Sequence, residues 1–415
     1  MRATSDYGDW LISVDDHLIE PAHLWQTHVA TKHRDRAPKV VLDADGTWKW
    51  EYDGTRKTIS GLSAVSGTHS DVWDPRPMNL QEPPFAAYCD PRARIEAMDE
   101  DHVIASMVYP TYARFCGTEF LGSSDREVDL ACIRAYNDFM IDEWCAAAPG
   151  RFIPLAIVPL WDGELAGAEA QRAAEKGARS IAFTESPTAL GLPSIHDRNR
   201  SWDPLFRVCV EHAMPLSIHI GSSSQIRLVA PDAPLIEGAS FLAQAAQDTL
   251  IDWMWSGNLL RYPELKIVLS ESGVDWVPPL LERMRRNLNR WRWARVPKPD
   301  FEGDVLFGDP KSVGERTPFG DIPEGFDPFD TFHQSMFPCV VADDVGWEAL
   351  ELLGYDNTMI EADYPHPDSF FPHSAKIAGE HLGHLADVKR AKILRDNACR
   401  VYSFTPAPAS SLPIR

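Results

Sequence analysis

The feature that most limits what this chain can fold into is a repeated alternation of short apolar runs with longer helical stretches. The pattern predicts strands over 10–14, 103–108, 152–158, 180–183, 215–220, 266–269, 339–342 and 357–360. Helical stretches are predicted from Asp90-Pro91 onward and over 125–148, 163–176, 202–212, 239–256, 275–293 and 345–353. Two closing helices are predicted over 374–384 and 386–402. Most runs lack polar alternation, as expected of parallel strands buried on both faces. Eight β-then-α units predict an α/β fold of the (β/α)8 TIM-barrel type. The competing open sheet lacks support, because no Gly-x-Gly-x-x-Gly follows the first run.

The whole of 1–405 reads as one barrel domain with two additions. Residues 39–60 carry two Asp-Gly turn signals, Asp45-Gly46 and Asp53-Gly54, around an alternating Trp48–Tyr52. They predict a β-hairpin inserted after the first strand. Residues 61–88 read as a long loop. Residues 294–336, before the seventh strand, are rich in Pro, Gly and Asp and carry Phe301, Phe307, Phe319, Phe326 and Phe329. Long loops with such aromatic content are expected to serve as a lid or a subunit contact. The tail, 406–415, is expected to be flexible.

The formal net charge of −21 disfavours nucleic acid and anionic membrane as partners. A small-molecule substrate is the expected partner. Seven cysteines without a Cys-x-x-Cys pair suggest buried thiols in a reduced compartment. Residues 1–6 lack the apolar core of a signal peptide, and no apolar run reaches membrane-spanning length, so a cytoplasmic location is expected.

Barrel enzymes carry their chemistry at the C-terminal ends of the strands. The first strand runs into Asp15-Asp16-His17, and residues two apart on a strand face one point. The fifth ends at His219, the sixth at Glu271, and the eighth at Asp363 and His366. A lone His in an apolar strand is more often a satisfied core residue. Here that explanation must hold at four separate strand ends. Asp15, His17, His219, Glu271 and Asp363 are therefore the predicted metal ligands. Glu185, after the fourth strand, is a candidate second-metal or bridging carboxylate, or a cap. Asp16 and Glu20 read as structural. Arg227 is a candidate carboxylate clamp, or a surface ion pair. Tyr109 and Trp276 are candidate pocket walls, or core aromatics.

Four segments carry a family resemblance: Ser13–Pro21, Ser217–Gly221, Leu269–Gly273 and Ala362–His366, joined by Asn137, Glu143, Pro149, Arg151-Phe152 and Val158-Pro159. The chain resembles the amidohydrolase-related group that includes aminocarboxymuconate-semialdehyde decarboxylase and γ-resorcylate decarboxylase. The resemblance implies a barrel, one or two divalent metals and a homodimer. It maps the strand-five ligand onto His219 and the strand-eight aspartate onto Asp363. Asp15 stands where relatives carry His or Glu, and Glu271 near their strand-six His. No lysine stands where dinuclear relatives carry a bridging one. Two imidazoles and three carboxylates suit manganese or iron as well as zinc. The expected activity is hydrolysis or non-oxidative decarboxylation of a small carboxylate or amide, with Asp363, His366 and His219 as catalytic groups. A non-haem di-iron or iron–manganese oxygenase (hydroxylase) on the same barrel is the alternative, and an inactive barrel subunit a lesser one.

Overall fold

The computed structural model describes residues 7–83, 85–225, 227–295, 319–340 and 344–413. Strand β1 (Leu11–Leu18) is buried along its whole length. Next comes a small antiparallel sheet of β2 (Lys39–Leu42), β3 (Trp48–Tyr52) and β4 (Thr55–Lys57). The expected hairpin is thus a three-stranded meander. The β3–β4 turn uses Asp53 and Gly54, both at positive φ (43° and 73°), as a tight hairpin turn requires.

The barrel continues with β5 (Val103–Pro110), β6 (Phe152–Ile153), β7 (Leu155–Ala156) and β8 (Ser180–Phe183). It is completed by β9 (Leu216–His219), β10 (Ile267–Ser270), β11 (Met336–Val340) and β12 (Met359–Ile360). Every neighbouring pair in the ladders β1-β5-β6 and β7-β8-β9-β10-β11-β12 is parallel. β6 and β7 are two halves of one barrel position, parted at Pro154, which has no N–H to give to a ladder. The last strand meets the first through two backbone bonds, Asp363 N to Asp15 O (2.9 Å) and His17 N to Tyr364 O (2.7 Å).

Three of the helices begin at an aspartate cap. Asp90, Asp125 and Asp162 each accept two backbone N–H groups at the start of Pro91–Glu100, Arg126–Phe139 and Gly163–Lys176. Gly177, at φ 116°, ends the last of these.

Several boundaries differ from expectation. β1 runs on to Leu18, so Asp15 and His17 lie within the strand, not beyond it. The helix predicted to Ala148 ends at Phe139 and passes into a π-helical turn, Met140–Trp144. The last predicted helix is likewise interrupted by a π turn, Lys392–Asp396. β11 starts at Met336, and helix Pro328–Ser335 precedes it. Phe326 packs on Trp255 (5.7 Å), and Arg285 lies 4.1 Å from the Phe329 ring, so this stretch rests on the outer helices. Phe301 and Phe307, and hence much of the insertion read as a lid or a subunit contact, lie outside the described residues. Residues of the tail, 406–413, make contacts with the rest of the chain. Ala407 N donates to Gly150 O and Tyr7 Oη to Ala407 O (both 2.9 Å), and Leu412 is buried. No helix among the described residues is long and apolar enough to cross a membrane.

Candidate metal centre

The site begins with an irregularity in β1. Ser13 pairs with Ser106 and Asp16 with Val108, so β1 uses one more residue than β5 over this span. Such a bulge re-aims side chains. Asp15 and His17 take part in one buried cluster at the rim, while Asp16 turns to structural duty. Its Oδ1 accepts from Ser13 Oγ and Tyr364 N (both 3.0 Å), and Oδ2 accepts from Ser106 Oγ. Asp16 thereby fastens the segment after β12 to β1. Glu20, also read as structural, accepts from Tyr112 N (2.7 Å) and Ala113 N (3.0 Å).

The other members arrive from three strand ends. His17 Nε2 lies 3.5 Å from Asp15 Oδ1, 3.2 Å from Asp363 Oδ1 and 3.3 Å from His219 Nε2. His219 Nε2 lies 3.4 Å from Asp15 Oδ2 and 3.6 Å from Glu271 Oε1. His366 Nδ1 lies 3.5 Å from Asp363 Oδ1. Two overlapping donor groups result, Asp15–His17–His219 and His17–Glu271–Asp363–His366, each with all its donor atoms within 4.8 Å of one another.

Glu271 (φ 52°) and Asp363 (φ 51°) both occupy the left-handed region, which non-glycine residues rarely visit. Backbone bonds from their own N–H groups hold them there. Asp363 N donates to Asp15 O, and Glu271 N to the carboxylate of Glu361 (3.0 and 3.2 Å).

The fit to a cation can be tested on the donor atoms. Both carboxylate oxygens of Asp15 and both of Asp363 are buried without a hydrogen-bond partner. Burial first, then the neighbouring carboxylates, pushes Asp15, Asp363 and Glu361 well above the usual carboxylate range. Burial, then Asp368, pushes Glu271 up to about 8. Burial holds His219 down at about 4, and burial with the His219 charge holds His366 at about 3. A nest of buried carboxylates and neutral imidazoles repels added negative charge and is relieved by a cation. His219 Nδ1 lies 2.5 Å from Ile220 O, which leaves its Nε2 lone pair facing the cluster. The donor set fits a divalent metal.

Aromatic rings enclose the cluster. Tyr109 is fully buried, bonded to Ser270 Oγ (3.0 Å), with its ring 5.2 Å from that of His219. Phe115 stacks on His219 at 3.9 Å and leans over His17 at 5.2 Å.

Three predicted site residues are not brought into the cluster. Glu185 accepts from Gly221 N (2.8 Å), Ser223 N (3.2 Å) and Ser223 Oγ (2.6 Å), so its oxygens are committed to the loop after β9. Arg227 is exposed, 3.6 Å from Asp248, over the Phe241 ring, beside a cavity of about 560 Å³. Trp276 is bound through Nε1 to Ser272 O (2.7 Å), where it braces the Glu271 turn. A cavity of about 1050 Å³ between Thr188, Asp252 and Trp291 includes no cluster residue.

Sequence reasoning missed Glu361 and Phe115. Glu361 sits two residues before Asp363, past the end of β12, and no spacing in the sequence ties it to Glu271. Phe115 lies on the loop after β5, where no pattern marks it.

The amidohydrolase family model matches residues 84–404. A γ-resorcylate decarboxylase of Rhodococcus jostii (strain RHA1) is 28% identical over 246 residues, 56% of this chain and 67% of that protein. Among solved structures, an amidohydrolase from Mycobacterium avium subsp. paratuberculosis K-10 is similar with a TM-score of 0.70 and 22% identity, over 95% of this chain and 99% of that one. A dihydroxybenzoic acid decarboxylase from Polaromonas sp. JS666, solved with bound manganese and the inhibitor 2-nitroresorcinol, gives a TM-score of 0.53 and 18% identity, over 95% and 97%. The family match spans more than half of the chain and covers β5 through β12, and with it His219, Glu271, Asp363 and His366. This chain belongs to the amidohydrolase family and is a metal-dependent enzyme of that superfamily.

Proposed function

We propose that the protein is a non-oxidative decarboxylase of a small aromatic carboxylic acid. One observation carries this reading: two imidazoles converge with the unpartnered, buried carboxylates of Asp15 and Asp363 beside the face of Phe115. Support for the substrate class comes from the γ-resorcylate decarboxylase relative and from the neighbour that binds manganese and a nitroresorcinol.

In this reading Asp15, His17, His219 and Asp363 hold the cation, with Glu271 as a further carboxylate ligand. When bound, a divalent ion orients the substrate's oxygens and stabilises the negative charge that develops as carbon dioxide leaves. Phe115 offers its face to the substrate ring. Tyr109 closes the floor and excludes water. The bond between ring carbon and carboxylate breaks, its electron pair stays on the ring carbon, and a proton is added there. His366 stands at the mouth with a 13% exposed side chain, next to Asp363; held neutral by burial, it is the group placed to relay a proton from solvent to that carbon.

The test is the release of carbon dioxide from hydroxybenzoates by manganese-loaded enzyme, with and without oxygen. Equal rates under both conditions are expected. Product formation that consumes oxygen overturns the reading in favour of the oxygenase. Cleavage of amides or lactones with no carbon dioxide release favours hydrolysis.

A further inference from the structure

We infer that Glu361 is a positioning residue that fixes the backbone of Glu271, and through it the geometry of the metal centre. The inference rests on the cluster being a cation site. Glu361 follows β12 directly and is 2% exposed. It lies two residues before Asp363, in the segment that follows β12. Among the described residues no lysine or arginine pairs with it. Its carboxylate instead receives the Glu271 N–H with both oxygens, at 3.0 and 3.2 Å.

That bond reaches across β11, which lies between β10 and β12 in the sheet. The Glu271 N–H is therefore not used in a strand ladder. Glu271 takes φ 52° at this point, and the chain turns so that its carboxylate points back to His219 Nε2 at 3.6 Å. A left-handed glutamate is a strained residue that persists only where its surroundings fix it. Three other contacts brace the same turn: Trp276 Nε1 on Ser272 O, Ser272 Oγ on Cys339 O, and Cys339 N on Ser272 Oγ. Among the described residues, the hydrogen bond of the Glu271 backbone N–H itself is accepted by Glu361. Glu361 thus acts on the centre through the peptide of Glu271, not as a ligand.

Reach and charge can be separated. Glu361→Gln keeps the length and an acceptor oxygen but removes the charge. Glu361→Asp keeps the charge but withdraws the oxygens by one methylene. Metal-depleted full-length variants are titrated with Mn²⁺ alone by calorimetry, and circular dichroism confirms equal folding. Positioning predicts Gln within about threefold of the parent affinity, and Asp weaker by about 10–100-fold, the usual range for residues that orient ligands. The reverse order assigns Glu361 a purely electrostatic role and overturns the inference. So does parent-like affinity in both. If Asp fails to fold, Glu361→Met supplies the loss of acceptor, and parent affinity in that variant overturns the inference. Parent protein that takes up no divalent ion overturns the reading of the centre itself, and this inference with it.

Discussion

His366 lies flat on His17, with ring centroids 3.5 Å apart and planes 14° apart. His17 is fully buried under this lid and faces Asp15 and Asp363, whereas His366 keeps an edge open to solvent. The two imidazoles are thus stacked but placed for different work, one for binding and one for exchange with solvent.

Replacement of His366 by Gln is therefore expected to leave metal content near the parent value while the turnover falls by about 10²–10⁴-fold, the usual contribution of a positioned acid or base. Elemental analysis and carbon dioxide release read the two quantities separately. Loss of metal in step with activity would make His366 a ligand instead.

The unpartnered oxygens of Asp15 and Asp363 predict a strong dependence of stability on metal. Mn²⁺ at a hundred times its dissociation constant should stabilise the fold by about 2.7 kcal/mol. Asp363→Asn should abolish most of that gain. Thermal melts with and without a chelator check it, and a melting point indifferent to metal contradicts the assignment.

Arg94 is buried under the site, donating to Ala87 O (2.8 Å) and His17 O, with its guanidinium 4.6 Å from the Tyr364 ring. Burial lifts Asp16 to about 6 against the pull of this guanidinium. Arg94→Met removes the buried charge that pulls on Asp16 and strands the carbonyls of Ala87 and His17, so a loss of about 3–5 kcal/mol is expected. Urea unfolding measures it. A cost under about 1 kcal/mol would show that Asp16 does not depend on Arg94.

Asp101, buried and accepting from Ser374 N at 2.7 Å, is raised from 3.8 to about 7, chiefly by burial. Its folded form thus keeps the proton that the unfolded chain has already released above pH 4. The resulting stability is complete below about pH 4 and is lost as the pH rises through 7. Relative to the parent, Asp101→Asn should gain stability steadily between pH 4 and 7. A parent-to-variant difference that stays flat across this window refutes the shift.

The order of strands and helices was legible because most barrel strands are short apolar runs and the helices Pro91–Glu100, Arg126–Phe139 and Gly163–Lys176 each carry an aspartate cap. The extension of β1 to Leu18 was not. Its last residues, Asp15 to His17, are polar and buried for the sake of the site, so hydrophobicity fails as a marker there. The two π turns escaped for another reason: their residues keep helical composition while the hydrogen bonding widens. Four strand ends could be read as one centre because each bears a ligand-type residue. Glu361 could not, since its meaning depends on Glu271, 90 residues away and two strands over. Glu185 misled because a strand-end carboxylate looks the same whether it faces an ion or a row of backbone N–H groups.

The barrel is sewn shut by Asp363 N on Asp15 O and His17 N on Tyr364 O, backbone bonds of residues that also furnish the site. Closure of the fold and completion of the centre are one event in the life of the chain. A nascent chain that has not yet reached residue 364 has neither, however well its earlier strands have formed. The amino-terminal ligands must then wait for almost the whole polypeptide to be synthesised, and metal capture becomes a late checkpoint on a finished chain.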